Sequence, residues 1–148
     1  CTLGRAGMRG VVATQRALPW VRVGPLSRPE TLLRVVLVWA GIPEPAINTR
    51  ILDSEGRFLA MPDIAWPDYR LASEYEGDYH RVERGQFHHD IGRIERMADE
   101  GWGVVRVSAP ALFDETSVLV ARIARRLTER GWSPPRPLDM RKVGRLRR

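Results

Sequence analysis

The stretch Met61-Pro62-Asp63-Ile64-Ala65-Trp66-Pro67-Asp68-Tyr69-Arg70-Leu71-Ala72-Ser73-Glu74-Tyr75-Glu76 decides the fold of this chain. Pro67-Asp68 is a turn signal between two apolar runs. It predicts a β-hairpin with one strand over 57–66 and the next over 69–76. If Trp66 and Tyr69 flank the turn, Asp63 lies opposite Ala72. Glu74 is two residues beyond Ala72 and shares its face. Asp63 and Glu74 then become diagonal neighbours about 7–8 Å apart, and Glu76 follows on the same face. Three acids so placed repel and raise one another's pKa unless a cation sits between them. A hard divalent ion such as Mg²⁺ or Mn²⁺ takes one or two carboxylates plus water and phosphate oxygens, which suits this patch. A solvated acidic face without metal suits the spacing equally well.

Upstream, Ser27-Arg28-Pro29-Glu30 is a helix start, with Ser27 as cap, Pro29 in the first turn and Glu30 completing a capping box. The helix is predicted to run to about Ala40, with Leu32, Val35, Val36 and Trp39 on one face and Leu33 and Leu37 on a second. Gly41 ends it, and Ile42-Pro43-Glu44-Pro45 is a rigid connection. A strand over 46–52 and the turn Asp53-Ser54-Glu55-Gly56 lead into the hairpin. Downstream, a polar loop precedes a helix from about Gly85 to Glu100, with Phe87, Ile91, Ile94 and Ala98 on one stripe. Gly101 stops it. Trp102 to Val107 reads as a buried strand, and Leu112 to Arg130 as a last helix. The fold class is therefore α/β, an α+β mixed sheet with helices on its faces, in the order helix, three strands, helix, strand, helix.

Length and charge bound the rest. With 148 residues, one compact core is feasible. The longest apolar run, Val35 to Ile42, falls far short of the roughly 20 residues that span a bilayer. No secretory signal is evident, and the lone Cys1 cannot form an internal disulfide, so a cytoplasmic location is expected. The first residue is Cys rather than Met, which leads us to expect a piece of a longer reading frame. Lys and Arg number 24 against 18 Asp and Glu, a net charge of +6, and Lys142 is the sole lysine. The cations gather at the two ends. Residues 1–26 read as an N-terminal helix and linker, 27–132 as the domain, and 133–148 as a basic, disordered tail. Basic ends can track a phosphate backbone, which makes DNA the expected partner, or can be solvated surface. Arg122, Arg125, Arg126 and Arg130 pose the same choice on the last helix. Trp66 and Trp102 read as core.

The hairpin residues, followed by Glu74-Tyr75-Glu76-Gly77-Asp78-Tyr79-His80, Asp90, Arg93 and Gly101-Trp102-Gly103-Val104-Val105-Arg106, carry a resemblance. In this order they resemble a family of small endonuclease-like domains related to very-short-patch-repair (Vsr) endonucleases, within the PD-(D/E)XK superfamily. The likeness spans about residues 26–128. It implies a restriction-endonuclease-like core and a Mg²⁺- or Mn²⁺-dependent nuclease acting on DNA. Asp63 and Glu74 would hold the metal, with the backbone carbonyl of Tyr75 as a further ligand and Glu30 as an outer one through water. Glu76 stands where the superfamily has lysine, so Glu76 or His80 would assist the water, and Arg93, oriented by Asp90, would bind phosphate or a ligand carboxylate. Adjacent His88 and His89 point in different directions on a helix, which disfavours zinc. Members of the family often follow an upstream winged-helix segment of the kind found in abortive-infection antitoxins, which links the expectation to defence or toxin–antitoxin systems. A catalytically silent nucleic-acid- or partner-binding module of the same fold is the alternative.

Overall fold

The computed structural model describes residues 27–76 and 84–143, with the backbone alone at 84–90 and Lys142. Helix α1 (Arg28–Ala40) begins with the capping box expected of Ser27 and Glu30: each side chain accepts from the other's backbone N–H. It ends at Gly41, whose φ of 103° is the left-handed conformation that a Cβ disfavours. Its buried stripe is Leu33, Val36, Leu37 and Ala40. Trp39, expected inside, is over a third exposed, because a stripe centred on Leu33 and Leu37 leaves it at the flank.

The predicted strand over 46–52 is two short strands, β1 (Ala46–Ile47) and β2 (Ile51–Leu52). Asn48 between them takes a positive φ of 44°, which ends the first. The strand over 57–66 also divides, into β3 (Phe58–Ala60) and β4 (Ile64–Trp66). Pro62 falls in the gap, and its missing N–H suits a break rather than a ladder. With β5 (Leu71–Glu76) and β6 (Gly103–Ser108), these strands form a mixed sheet in the order β1-β4-β5-β6, and β2 and β3 pair separately. The pairs β1/β4 and β4/β5 are antiparallel, and β5/β6 is parallel.

The hairpin is present, with a longer turn than expected. Pro67–Tyr69 forms a single 3-10 turn and Arg70 a left-handed step, so Trp66 pairs with Leu71 and Ile64 with Ser73. Continuing this register sets Asp63 level with Glu74, not with Ala72. The shift is by two residues, and side chains alternate with period two, so the shared face of Asp63 and Glu74 survives.

Helices cover both faces. On one, Leu33, Val36 and Leu37 of α1 meet Ile64, Trp66, Leu71, Val105 and Val107 of the sheet. Leu119, Val120, Ile123 and Leu127 of α4 (Thr116–Thr128) close that core. The last helix is thus divided, since α3 (Ala109–Phe113), capped by Ser108, precedes α4. On the other face, α2 (Arg84–Asp99) buries Met97 among Ala65, Ala72, Ala60, Leu59 and Ile51. The expected stripe on α2 is displaced: Ile91 and Ala98 are exposed and Met97 is the buried anchor. The alanines of the sheet leave room for one long side chain, and Met fills irregular gaps.

Residues 134–143 depart from the disordered tail expected over 133–148, of which 144–148 lie outside the described residues. Leu138 and Met140 pack on the main core, α5 (Met140–Val143) brings Val143 to 2% exposure, and the Asp139 N–H donates to the Ala40 carbonyl at 2.9 Å. The apolar residues spaced among the charges supply the docking surface. Val143→Ala is expected to lower stability by about 1.5–3 kcal/mol, the worth of a buried aliphatic side chain. Urea unfolding indistinguishable from wild type would show that this segment is not part of the folded unit.

Candidate active site

One face of the sheet carries, strand by strand, Asp63 and Ala65 beside β4, Ala72, Glu74 and Glu76 on β5, and Val104 and Arg106 on β6. The apolar members lie under Met97 of α2, partly covered by Trp102 as well. Arg93 is one turn back along the same side of the helix. A helical turn advances about 5.4 Å and two strand residues about 6.6–6.8 Å, so a helix anchored at Ala72 by Met97 brings Arg93 level with Glu74. Arg93 grips both carboxylate oxygens: Nη1 donates to Oε1 of Glu74, and Nη2 to Oε2 at 2.9 Å. Both side chains are largely shielded, 24% and 15% exposed. The charge-assisted fork fixes both in orientation.

Asp63 sits beside this pair, half-buried. Its Oδ2 accepts from the Tyr75 N–H at 2.7 Å. Burial pushes its carboxyl above the ordinary value of 3.8, the Tyr75 hydrogen bond opposes that, Glu30 and Glu74 push it further up, and Arg93 pulls it down. The capping box that starts α1 therefore also sets the Glu30 carboxylate where Asp63 feels its charge. Tyr75, whose carbonyl was expected as a ligand, also donates its amide N–H to Asp63 and so aims that carboxylate.

Glu76 lies on the same face but belongs to a different partnership. Its Oε1 accepts from Nε of Arg106 at 3.0 Å, with both side chains more than a third exposed. Arg106 closes the Gly101-to-Arg106 motif quoted above, which gave it no role at the site. The available signal was parity: in a parallel neighbour strand Arg106 falls level with Glu74, and alternation with Val105 and Val107 sends it to the acidic face. His80 lies outside the described residues. Asp90, His88 and His89 are on α2 with only their backbone described.

Two of the four arginines grouped on the last helix serve the backbone: Arg122 donates to the Arg106 carbonyl at 3.2 Å, and Arg130 to the Gly101 carbonyl at 2.9 Å. Arg125 and Arg126 are exposed. Trp66 is buried, with Nε1 donating to the Pro43 carbonyl at 2.8 Å.

The donors around Asp63 are all oxygens, and Glu30, Asp63 and Glu74 against Arg93 leave a net charge of about −2 with all three acids ionised, which suits a hard divalent cation. Among the described residues no group of three or more His, Cys, Asp or Glu side chains could by itself hold a metal ion. The fit is to an ion such as Mg²⁺, which keeps several waters and takes one or two carboxylates plus phosphate oxygens. Among the described residues no helix is long and apolar enough to cross a membrane.

No family model matches the chain, and no solved structure matches it. Two proteins from two strains of Mycobacterium tuberculosis, both described as uncharacterized, are each 33% identical to it over 121 residues. The alignment covers 82% of this chain and 44% of each relative, so the chain spans less than half the length of the curated relatives it matches.

Proposed function

We propose that the chain is a nuclease with a restriction-endonuclease-like core that hydrolyses phosphodiester bonds in DNA with Mg²⁺ or Mn²⁺. The observation that carries this reading is the meeting of Asp63, Glu74 and Arg93 on one sheet face, close to Glu30. The order α1, hairpin, α2, β6, α4 is also the order implied by the resemblance to Vsr-related nucleases. Asp63 and Glu74 are the residues to hold the ion. The chemistry such an ion supplies is a polarised phosphate and a water of lowered pKa. The Tyr75 amide aims Asp63, Arg93 holds Glu74 in one orientation, and its guanidinium is matched to phosphate oxygens. A link to defence or toxin–antitoxin systems stays part of this proposal.

One observation favours the silent binding module instead. Both oxygens of Glu74 accept from Arg93, Glu76 pairs with Arg106, and no lysine is at hand for the superfamily's lysine position. Incubation with supercoiled plasmid separates the two. A nuclease nicks it with Mg²⁺ or Mn²⁺, stops with EDTA, and is silent as Asp63→Ala. Wild-type protein that binds DNA but cleaves neither single nor double strands with either ion is the binding module.

A further inference from the structure

Glu30, Asp63 and Glu74 outnumber Arg93, so the acidic face by itself repels a polyanion, and a nucleic acid that reaches it needs cations elsewhere on the domain. We propose that the C-terminal segment, docked against the end of α1, is a fixed contact for a nucleic-acid backbone, with Arg136 and Arg141 binding phosphates of the strand that crosses the Asp63–Glu74 site. The inference rests on the proposed function. Residues 133–148 hold six cations against one acid, Asp139. Two of the cations stand on the docked part. The Asp139 N–H donates to the Ala40 carbonyl at 2.9 Å, Leu138 and Met140 pack on the main core, and Val143 is buried. Between this segment and α1 lies a groove of about 430 Å³, lined by Gly41, Leu138 and Met140 together with Arg136 and Arg141. Arg136 is exposed and makes no ion pair among the described residues. Arg141 meets Asp139 at 3.7 Å with its side chain 97% exposed, a contact that water screens and that leaves its fork available. The last turn of α1 has no basic residue of its own, so the positive charge at this end comes from the docked segment. Cations held by folded backbone give up less freedom on binding than those of a free tail. From Glu30, beside Asp63, to Ala40 the axis of α1 advances about 15 Å, the rise of four to five base pairs, so one duplex is long enough to reach both ends.

The test measures binding of fluorescently labelled duplex DNA to the full chain as Asp63→Asn, so that the DNA stays intact. Adding Arg136→Gln and Arg141→Gln should weaken binding at least about fivefold and lower the slope of log affinity against log salt by about 1.8, the value for two lost phosphate contacts. Arg125→Gln with Arg126→Gln removes the same charge from exposed positions of α4 and should change the slope by less than half as much. All four side chains are exposed, so both pairs of variants should fold. With Asp63 restored, the change at Arg136 and Arg141 should raise KM for cleavage and leave kcat within about twofold, because the contact lies away from the reacting phosphate. Unchanged affinity and salt slope in the Arg136 and Arg141 variant overturn the assignment while leaving the nuclease reading in place. Equal losses in the two pairs overturn it too, since bulk charge is then the cause. So does a variant that loses binding to vesicles containing phosphatidylglycerol but keeps its binding to DNA, since the surface then serves a membrane. Wild-type protein that neither binds nor cuts DNA removes the functional reading and this inference together.

Discussion

If the proposed nuclease reading is right, Asp63→Asn should lower DNA cleavage by at least about 10²-fold, and at neutral pH it should yield a protein more stable than the wild type. The first effect follows from the loss of one of the two carboxylates proposed to hold the ion, which would supply the polarised phosphate and the water of lowered pKa. The second follows from where Asp63 sits. Burial first, then Glu30 and Glu74, hold its carboxyl above 3.8, against the Tyr75 hydrogen bond and Arg93. The folded state thus keeps this proton to higher pH than the unfolded chain. Above 3.8 the folded protein binds more protons at this group, so its stability falls as pH rises through the raised value and the loss persists at pH 7. Asn has no charge to desolvate, and its Oδ1 can still accept from the Tyr75 N–H. In urea unfolding the variant and the wild type should coincide well below 3.8, separate as pH rises through the folded-state value, and stay separated to neutrality. A variant less stable than the wild type at pH 7 would refute the account. Such a cost is the signature of a residue held for its chemistry rather than for folding.

Arg93→Ala gives the second large effect. Its fork on Glu74 is largely shielded from water, so truncation leaves a carboxylate shielded and unmatched. The expected loss is about 1.5–3 kcal/mol, the range for hydrogen bonds to charged groups. In a double-mutant cycle with Glu74→Gln, the coupling should exceed about 1 kcal/mol and vary little with salt. Coupling below about 0.5 kcal/mol that vanishes in high salt would mean a solvated surface pair instead. Cleavage should fall in both single variants, because each leaves the other side chain without the partner that orients it.

Signals that are satisfied locally along the chain were legible in the sequence, and those that depend on distant partners were not. Ser27, Glu30 and Gly41 mark the ends of α1 because caps are satisfied within four residues, and Asp53 to Gly56 closes its turn through the Asp53 carboxylate, which accepts from the N–H groups of Glu55 and Arg57. The shared face of Asp63 and Glu74 was equally open to reading. Strand parity is local, and it tolerated a turn two residues longer than expected. The turn length itself was not local, since the left-handed step at Arg70 is tied down by its side chain, which reaches the Glu100 carbonyl at 3.0 Å, thirty residues away. Likewise only packing could select Met97 over Ile91 as the anchor of α2, since the face a helix buries depends on what the sheet presents, here two alanines. From that choice follows the level of Arg93, and with it the grip on Glu74. The Glu76–Arg106 pair depends on the register between β5 and a strand reached only after a whole helix, a separation across which spacing in sequence carries no register. The sequence by itself thus determined the ends of α1, the Asp53–Gly56 turn and the face on which the acids lie. The tertiary structure decided which cation each acid meets.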